Sequence, residues 1–121
     1  MSTNVHLEKA LADLAYSIAY ADGKLEESEW NAFEKMVDAE LGEAAASVRN
    51  KFLLLGERSS PNIEQTYKEA MFTIRENKED FDENLKRRFI LILEKIADSV
   101  EGIREGEHNL IERFKYDIEL I

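Results

Sequence analysis

Leu7, Leu11, Leu14 and Ile18 recur at steps of four, three and four. That spacing marks one face of a helix, and no stretch of the chain alternates with period two long enough to make a strand. Ala10, Ala15 and Ala19 fill in beside the stripe, Ser2-Thr3-Asn4 offers N-cap residues ahead of it, and Asp22-Gly23 ends it. A second helix is predicted from about Glu26 to about Leu41, with Trp30, Phe33, Met36, Val37 and Leu41 on its apolar face and Gly42 as its stop. A third segment, roughly Glu43 to Leu55, carries Ala45, Val48, Phe52 and Leu55, and Gly56 to Ser60 reads as a loop. Ser60-Pro61 opens a fourth helix, Ser at the cap and Pro at the first helical position, burying Ile63, Tyr67, Ala70, Met71 and Ile74.

After a polar break at Asn77 to Asp80, a fifth helix carries Phe81, Leu85, Phe89, Ile92, Leu93 and Ile96. Its apolar run from Phe89 to Leu93 lies inside a longer 3.6-residue pattern, so it reads as the most buried helical turn. A sixth helix carries Leu110, Ile111, Phe114 and Ile118 and runs nearly to Ile121. The fold class that follows is all-α: a compact bundle of about six helices forming a single domain over 1–121.

Apolar residues make up 44% of the 121, enough to build one core and too many, too regularly spaced, for a disordered chain. The formal net charge of −10 argues against a nucleic-acid partner and against charge-driven docking on an anionic membrane. A cation or a basic partner suits that field. There is no cysteine, which excludes a disulfide scaffold, a thiolate metal site and a cysteine nucleophile. No secretory signal is legible at the N-terminus, and the longest apolar run is too short to span a bilayer. The expectation is a cytoplasmic protein with no transmembrane segment, reaching a membrane only through a partner.

The chain also resembles itself at an offset of 78 residues. Ile18-Ala19 matches Ile96-Ala97, Glu27 matches Glu105, Glu29 matches Glu107, Asn31 matches Asn109 and Glu34 matches Glu112. Apolar and acidic positions agree in register, which suggests a duplication with repeat units at about 5–41 and 81–121. Connecting helices at about 43–77 would join them in a pseudo-two-fold bundle.

Both copies place acids between their helices. The first loop, Ala21 to Glu29, fits the latter half of a calcium-binding EF-hand loop, with Asp22, Gly23, Leu25 and Glu29 in the expected places. The front half does not fit, because Tyr20 and Ile18 stand where carboxylates belong. The second loop, Asp98 to Glu107, retains an acid–Gly pair at Glu101-Gly102, and spacing leaves open whether Asp98 or Glu101 is the counterpart of Asp22. The same residues also read without a metal: Glu26 at an N-cap, Glu29 as the reciprocal arm of a capping box, and Leu25 with Trp30 as a hydrophobic staple. Acids in a first turn suit the helix dipole as well.

At Ala21-Asp22-Gly23-Lys24-Leu25, with Glu29 following, the chain resembles the TerB-like family of tellurite-resistance proteins. The N-terminal domain of a membrane-anchored J-domain co-chaperone is similar to that group too. The resemblance implies an all-helical, pseudo-symmetric fold, an acidic patch binding Ca²⁺ or another divalent cation, and a protein partner in a stress-response assembly rather than catalysis. Carried over, the candidate metal ligands are Asp22, Glu26 and Glu29 in the first loop and Asp98, Glu101 and Glu107 in the second. The chain departs from the family pattern at Val100-Glu101-Gly102, where a clean Ala-Asp-Gly is missing.

Other chemistry finds little support. His108 stands where Trp30 stands in the first copy and reads as a staple or partly buried residue; neither it nor His6 has a second histidine at helical spacing. Ser59-Ser60 lacks a nucleophile-elbow context, and no Gly-rich phosphate loop exists. Lys86-Arg87-Arg88 reads as a solvated face paired with nearby acids. A carboxylate-dependent hydrolase is a distant third to a non-enzymatic binding module and a metal-free interaction domain.

Overall fold

In the computed structural model, described over residues 4–21, 26–56, 62–99 and 105–121, one helix sits at the centre of the others. This is α1, Val5–Ala19, and from Leu7 to Ala19 every side chain except that of Lys9 is buried. The periodic Leu/Ile stripe accounts for one face. The remaining faces carry Ala10, Ala12, Ala15 and Ala19, whose short side chains let neighbouring helices approach from several directions. Three polar residues are buried with them. Glu8 lies 3.6 Å from the Lys51 ammonium, Asp13 accepts from Lys9 at 3.2 Å, and the Ser17 hydroxyl donates to the Asp13 carbonyl at 2.8 Å.

The chain continues through α2, Glu27–Leu41, a 3-10 turn at Gly42–Ala44, and α3, Ala45–Gly56. No non-helical residue separates these three, and Gly42 takes the turn with φ of 54°, a left-handed value that suits glycine. Then come α4, Ile63–Glu76, α5, Glu83–Asp98, and α6, Glu105–Glu119. No strand occurs among the described residues, so the all-helical class read from the periodicity is what the structure shows.

Helix α1 packs against α3, α4, α5 and α6, while α2 packs against α3 and α5, and α5 also packs on α6. Phe52 of α3 joins the two sides. Its ring lies 5.9 Å from Tyr16 of α1, 4.7 Å from Phe33 and 5.4 Å from Trp30 of α2, centroid to centroid. Aromatic pairs at these separations add to simple area burial.

The helix starts follow local chemistry. The Asn4 side chain accepts from the His6 backbone N–H, and its amide donates to Asn77 at 3.0 Å and Asp80 at 2.8 Å, tying the start of α1 to the α4–α5 turn. The cap of α4 differs from the expected Ser60-Pro61 start: Asn62 caps it, in extended backbone, with its Oδ1 accepting from the Gln65 N–H at 2.9 Å. Asn caps a helix as well as Ser does, and the helix begins at Ile63, past the proline; Ser60 and Pro61 lie outside the described residues. Asp82 caps α5 in the same way through the Leu85 N–H, so Phe81 stands before the helix and packs edge-on against Phe89 at 5.1 Å.

Residues 78 apart share burial in part. Leu11 and Phe89, Leu14 and Ile92, Ile18 and Ile96, Phe33 and Ile111, and Glu29 and Glu107 are buried in both copies. Val37 is buried whereas Lys115 is half-exposed, and His108 is exposed where Trp30 packs on the core. His108 is therefore not the buried counterpart of Trp30 expected from the register.

Candidate acidic site at the loop–helix junctions

The first turns of α2 and α6 each carry a buried acid. At the start of α2, Glu26 adopts extended backbone, and its carbonyl accepts from the Glu29 and Trp30 N–H groups at 3.1 and 3.2 Å. This turns the Glu29 side chain back toward the cap, where its Oε1 accepts from the Glu26 N–H at 2.9 Å. That is the reciprocal arm of a capping box, and it satisfies a donor the helix itself leaves open. Glu29 is nevertheless 0% exposed, an unusual place for a first-turn glutamate.

Glu107 occupies the matching place in α6 and is also 0% exposed. Beside it, Gly106 lies against Ala21, two residues past the end of α1. A Cβ on Gly106 would stand 3.2 Å from the Ala21 carbonyl oxygen, so the backbones of the two junctions meet here with room only for glycine or a small adjustment.

The six sequence candidates thus separate. Glu29 and Glu107 are buried, Glu26 is half-buried beside Glu29, and Asp98 is exposed at the last residue of α5. Asp22 and Glu101 lie outside the described residues, as does Leu25 of the expected staple. Among the described residues, no group of three or more His, Asp or Glu side chains is arranged to hold a metal ion. Glu26 and Glu29 stand together at the start of α2, and Glu107 stands in the first turn of α6. Their hard carboxylate oxygens suit Ca²⁺ or Mg²⁺ in kind, but a calcium ion needs more oxygens than they offer.

The strongest polar cluster was not legible in the sequence. Tyr67 of α4 donates to Asp117 of α6 at 2.6 Å, and Arg113 of α6 lies over the Tyr67 ring at 4.3 Å. Arg113 also forks onto both oxygens of Glu64 at 2.7 and 2.8 Å. Burial, then the bond to Asp117, pushes the Tyr67 hydroxyl well above its ordinary pKa, and the Arg113 hydrogen bonds hold Glu64 below its own. These partners are about fifty positions apart and fall in no shared motif, so only the docking of α4 beside α6 brings them together.

Two of the three cations in the basic run on α5 pair with acids, and Arg87 donates to the Asn84 side chain instead. Lys86 lies 3.3 Å from Glu83, and Arg88 lies 3.9 Å from the Glu40 carboxylate while donating to the Glu40 carbonyl at 3.3 Å. The latter contact places a cation at the C-terminal end of α2, where the helix dipole favours it.

The chain matches no family model, no curated protein and no solved structure. No relative therefore supplies a residue role, and the reading rests on geometry. Among the described residues, no helix is long and apolar enough to cross a membrane.

Proposed function

We propose that this chain is a non-enzymatic, acidic helical binding module of the TerB-like kind, which holds a divalent cation between its two loop–helix junctions and docks a protein partner. The assembly it serves is a bacterial, cytoplasmic stress-response complex of the tellurite-resistance type. The observation that carries the reading is the complete burial of Glu29 and Glu107, 78 positions apart, each in the first turn of a helix that follows an acidic loop. Burying a carboxylate is costly unless hydrogen bonds, a cation or both compensate it. The contact of Gly106 with Ala21 supports pooling of acids from the two loops. The shared burial of Leu11 with Phe89, Ile18 with Ile96 and Phe33 with Ile111 supports the duplication behind it.

Calorimetric titration of the chain with Ca²⁺ and with Mg²⁺ tests the cation. Saturable heat is expected for the wild type and its loss for Glu29→Gln and Asp22→Ala. Melting should rise with cation concentration, by roughly 2.7 kcal/mol of stability at a hundredfold excess over Kd. No heat and no melting shift at roughly millimolar cation would overturn the cation reading.

A second reading is favoured by the Glu26–Glu29 hydrogen bond at 2.9 Å. There the acids only cap helices, and the domain binds its partner without metal. Under that reading Glu29→Gln keeps a side-chain acceptor and leaves melting nearly unchanged, with or without Ca²⁺.

A further inference from the structure

Helix α6 is held differently from the rest of the bundle. It is as long as α1, yet where α1 buries nearly every side chain, α6 buries only Glu107, Ile111, Phe114 and Ile118. One member of that narrow stripe is an acid, so three apolar side chains, with Leu110 half-buried at the edge, make the whole apolar seam. The seam meets α1 and α5. Toward α4 the links are polar: Asp117 accepts from Tyr67 at 2.6 Å, and Arg113 forks onto Glu64 at 2.7 and 2.8 Å. Lys115 adds a pair with Glu94 of α5 at 2.9 Å. The side chains of Arg113, Glu64, Lys115 and Glu94 are 34–53% exposed, so water and salt reach both pairs. The other helices hold together without α6. Helix α1 packs on α3, α4 and α5, and α2 ties α3 to α5.

We propose that α6 is a salt-released lid, which opens as a unit while α1 to α5 stay folded, with the Arg113–Glu64 and Lys115–Glu94 pairs setting how often it opens. An element with little buried apolar surface opens at a lower free energy than the whole domain. Partly exposed ion pairs weaken as salt screens them, whereas the apolar contacts among α1, α4 and α5 do not. Opening uncovers the faces of α1 and α5 beneath the seam and carries Gly106 and Glu107 away from Ala21. The inference goes beyond the binding-module reading and is independent of any cation.

The test is amide hydrogen exchange of the whole chain, followed by mass spectrometry in buffer with a chelator. After correction for intrinsic rates, amides of α6 are expected to exchange at least about tenfold faster than those of α1. Raising NaCl from about 0.1 to about 1 M shortens the screening length from about 10 to about 3 Å, and should speed α6 about threefold with α1 unchanged. Arg113→Gln should speed α6 by about fivefold at low salt, the scale of one well-formed surface pair, again with α1 unchanged. Lys35→Gln, which removes an exposed cation of α2, should leave α6 exchange within about twofold. If Arg113→Gln does not fold, Glu64→Gln takes its place, with the same acceleration expected. Three results would each overturn the proposal: α6 amides no faster than those of α1, salt that speeds both helices alike or neither, or Arg113→Gln that speeds every helix alike or none.

Discussion

The Tyr67 hydroxyl of α4 reaches Asp117 of α6 at 2.6 Å, beneath the guanidinium of Arg113. Tyr67 is a buried core residue, yet its polar tip closes a bridge between two helices that share little backbone contact. Tyr67→Phe keeps the ring and removes the bridge. It should cost about 1 kcal/mol, since Arg113 still lies 3.8 Å from Asp117 and shares its charge. A chemical-denaturation midpoint equal to that of the wild type would show that the hydroxyl contributes nothing.

The same bridge predicts opposite pH limits. Tyr67 has its pKa raised by folding, so its contribution is complete below the ordinary tyrosine value of 10.0 and is lost as pH rises beyond it. Glu64 has its pKa lowered, so its contribution is present above the ordinary value of 4.5 and is lost as pH falls below it. Tyr67→Phe should flatten the alkaline limb of a stability–pH curve, and Glu64→Gln the acid limb. Each variant should leave the other limb unchanged.

Glu29 separates capping from cation binding by substitution. Glu29→Ala leaves the Glu26 N–H without its acceptor and should cost about 1 kcal/mol in metal-free buffer. Glu29→Gln should cost much less there, because an amide oxygen still accepts. Added Ca²⁺ should then stabilise the wild type and not Glu29→Gln. Equal stabilisation of both would leave Glu29 a cap and no ligand.

Two helical glycines should respond differently to alanine. Gly56 at the end of α3 has nothing within 4 Å of an added Cβ, so Gly56→Ala should stabilise by about 0.5 kcal/mol. Gly106→Ala gains the same helix preference but presses on the Ala21 carbonyl at 3.2 Å. It should therefore gain less than Gly56→Ala in thermal melts, and a larger gain would mean the junctions are not in contact.

Phe52→Ala removes the ring shared by Tyr16, Trp30 and Phe33, and should cost about 3–5 kcal/mol. Near-ultraviolet circular dichroism should lose intensity in step, since the aromatic cluster loses its fixed geometry. A small loss of stability would show that α2 and α3 are held by other contacts.

How much was legible in the sequence differs between core and site. The buried residues of α4 and α5, such as Tyr67, Ile74, Phe89 and Ile96, stood at helical spacing and are buried. The acids of the junctions were legible as residues but not as environments. Glu29 and Glu107 are enclosed while Asp98, nominated on equal terms, faces solvent. Spacing along a helix assigns a face, but it does not say whether another helix covers that face.

By itself, the sequence determined the helical class, most helix faces and the acidic character of the loops, because period, capping and charge are local properties of consecutive residues. Tertiary structure alone decided that α1 is enclosed on every side, that Tyr67 meets Asp117, and that Gly106 lies against Ala21. Those relations join residues far apart in the chain. They depend on which faces pair when the bundle closes, and no run of neighbouring residues encodes that pairing.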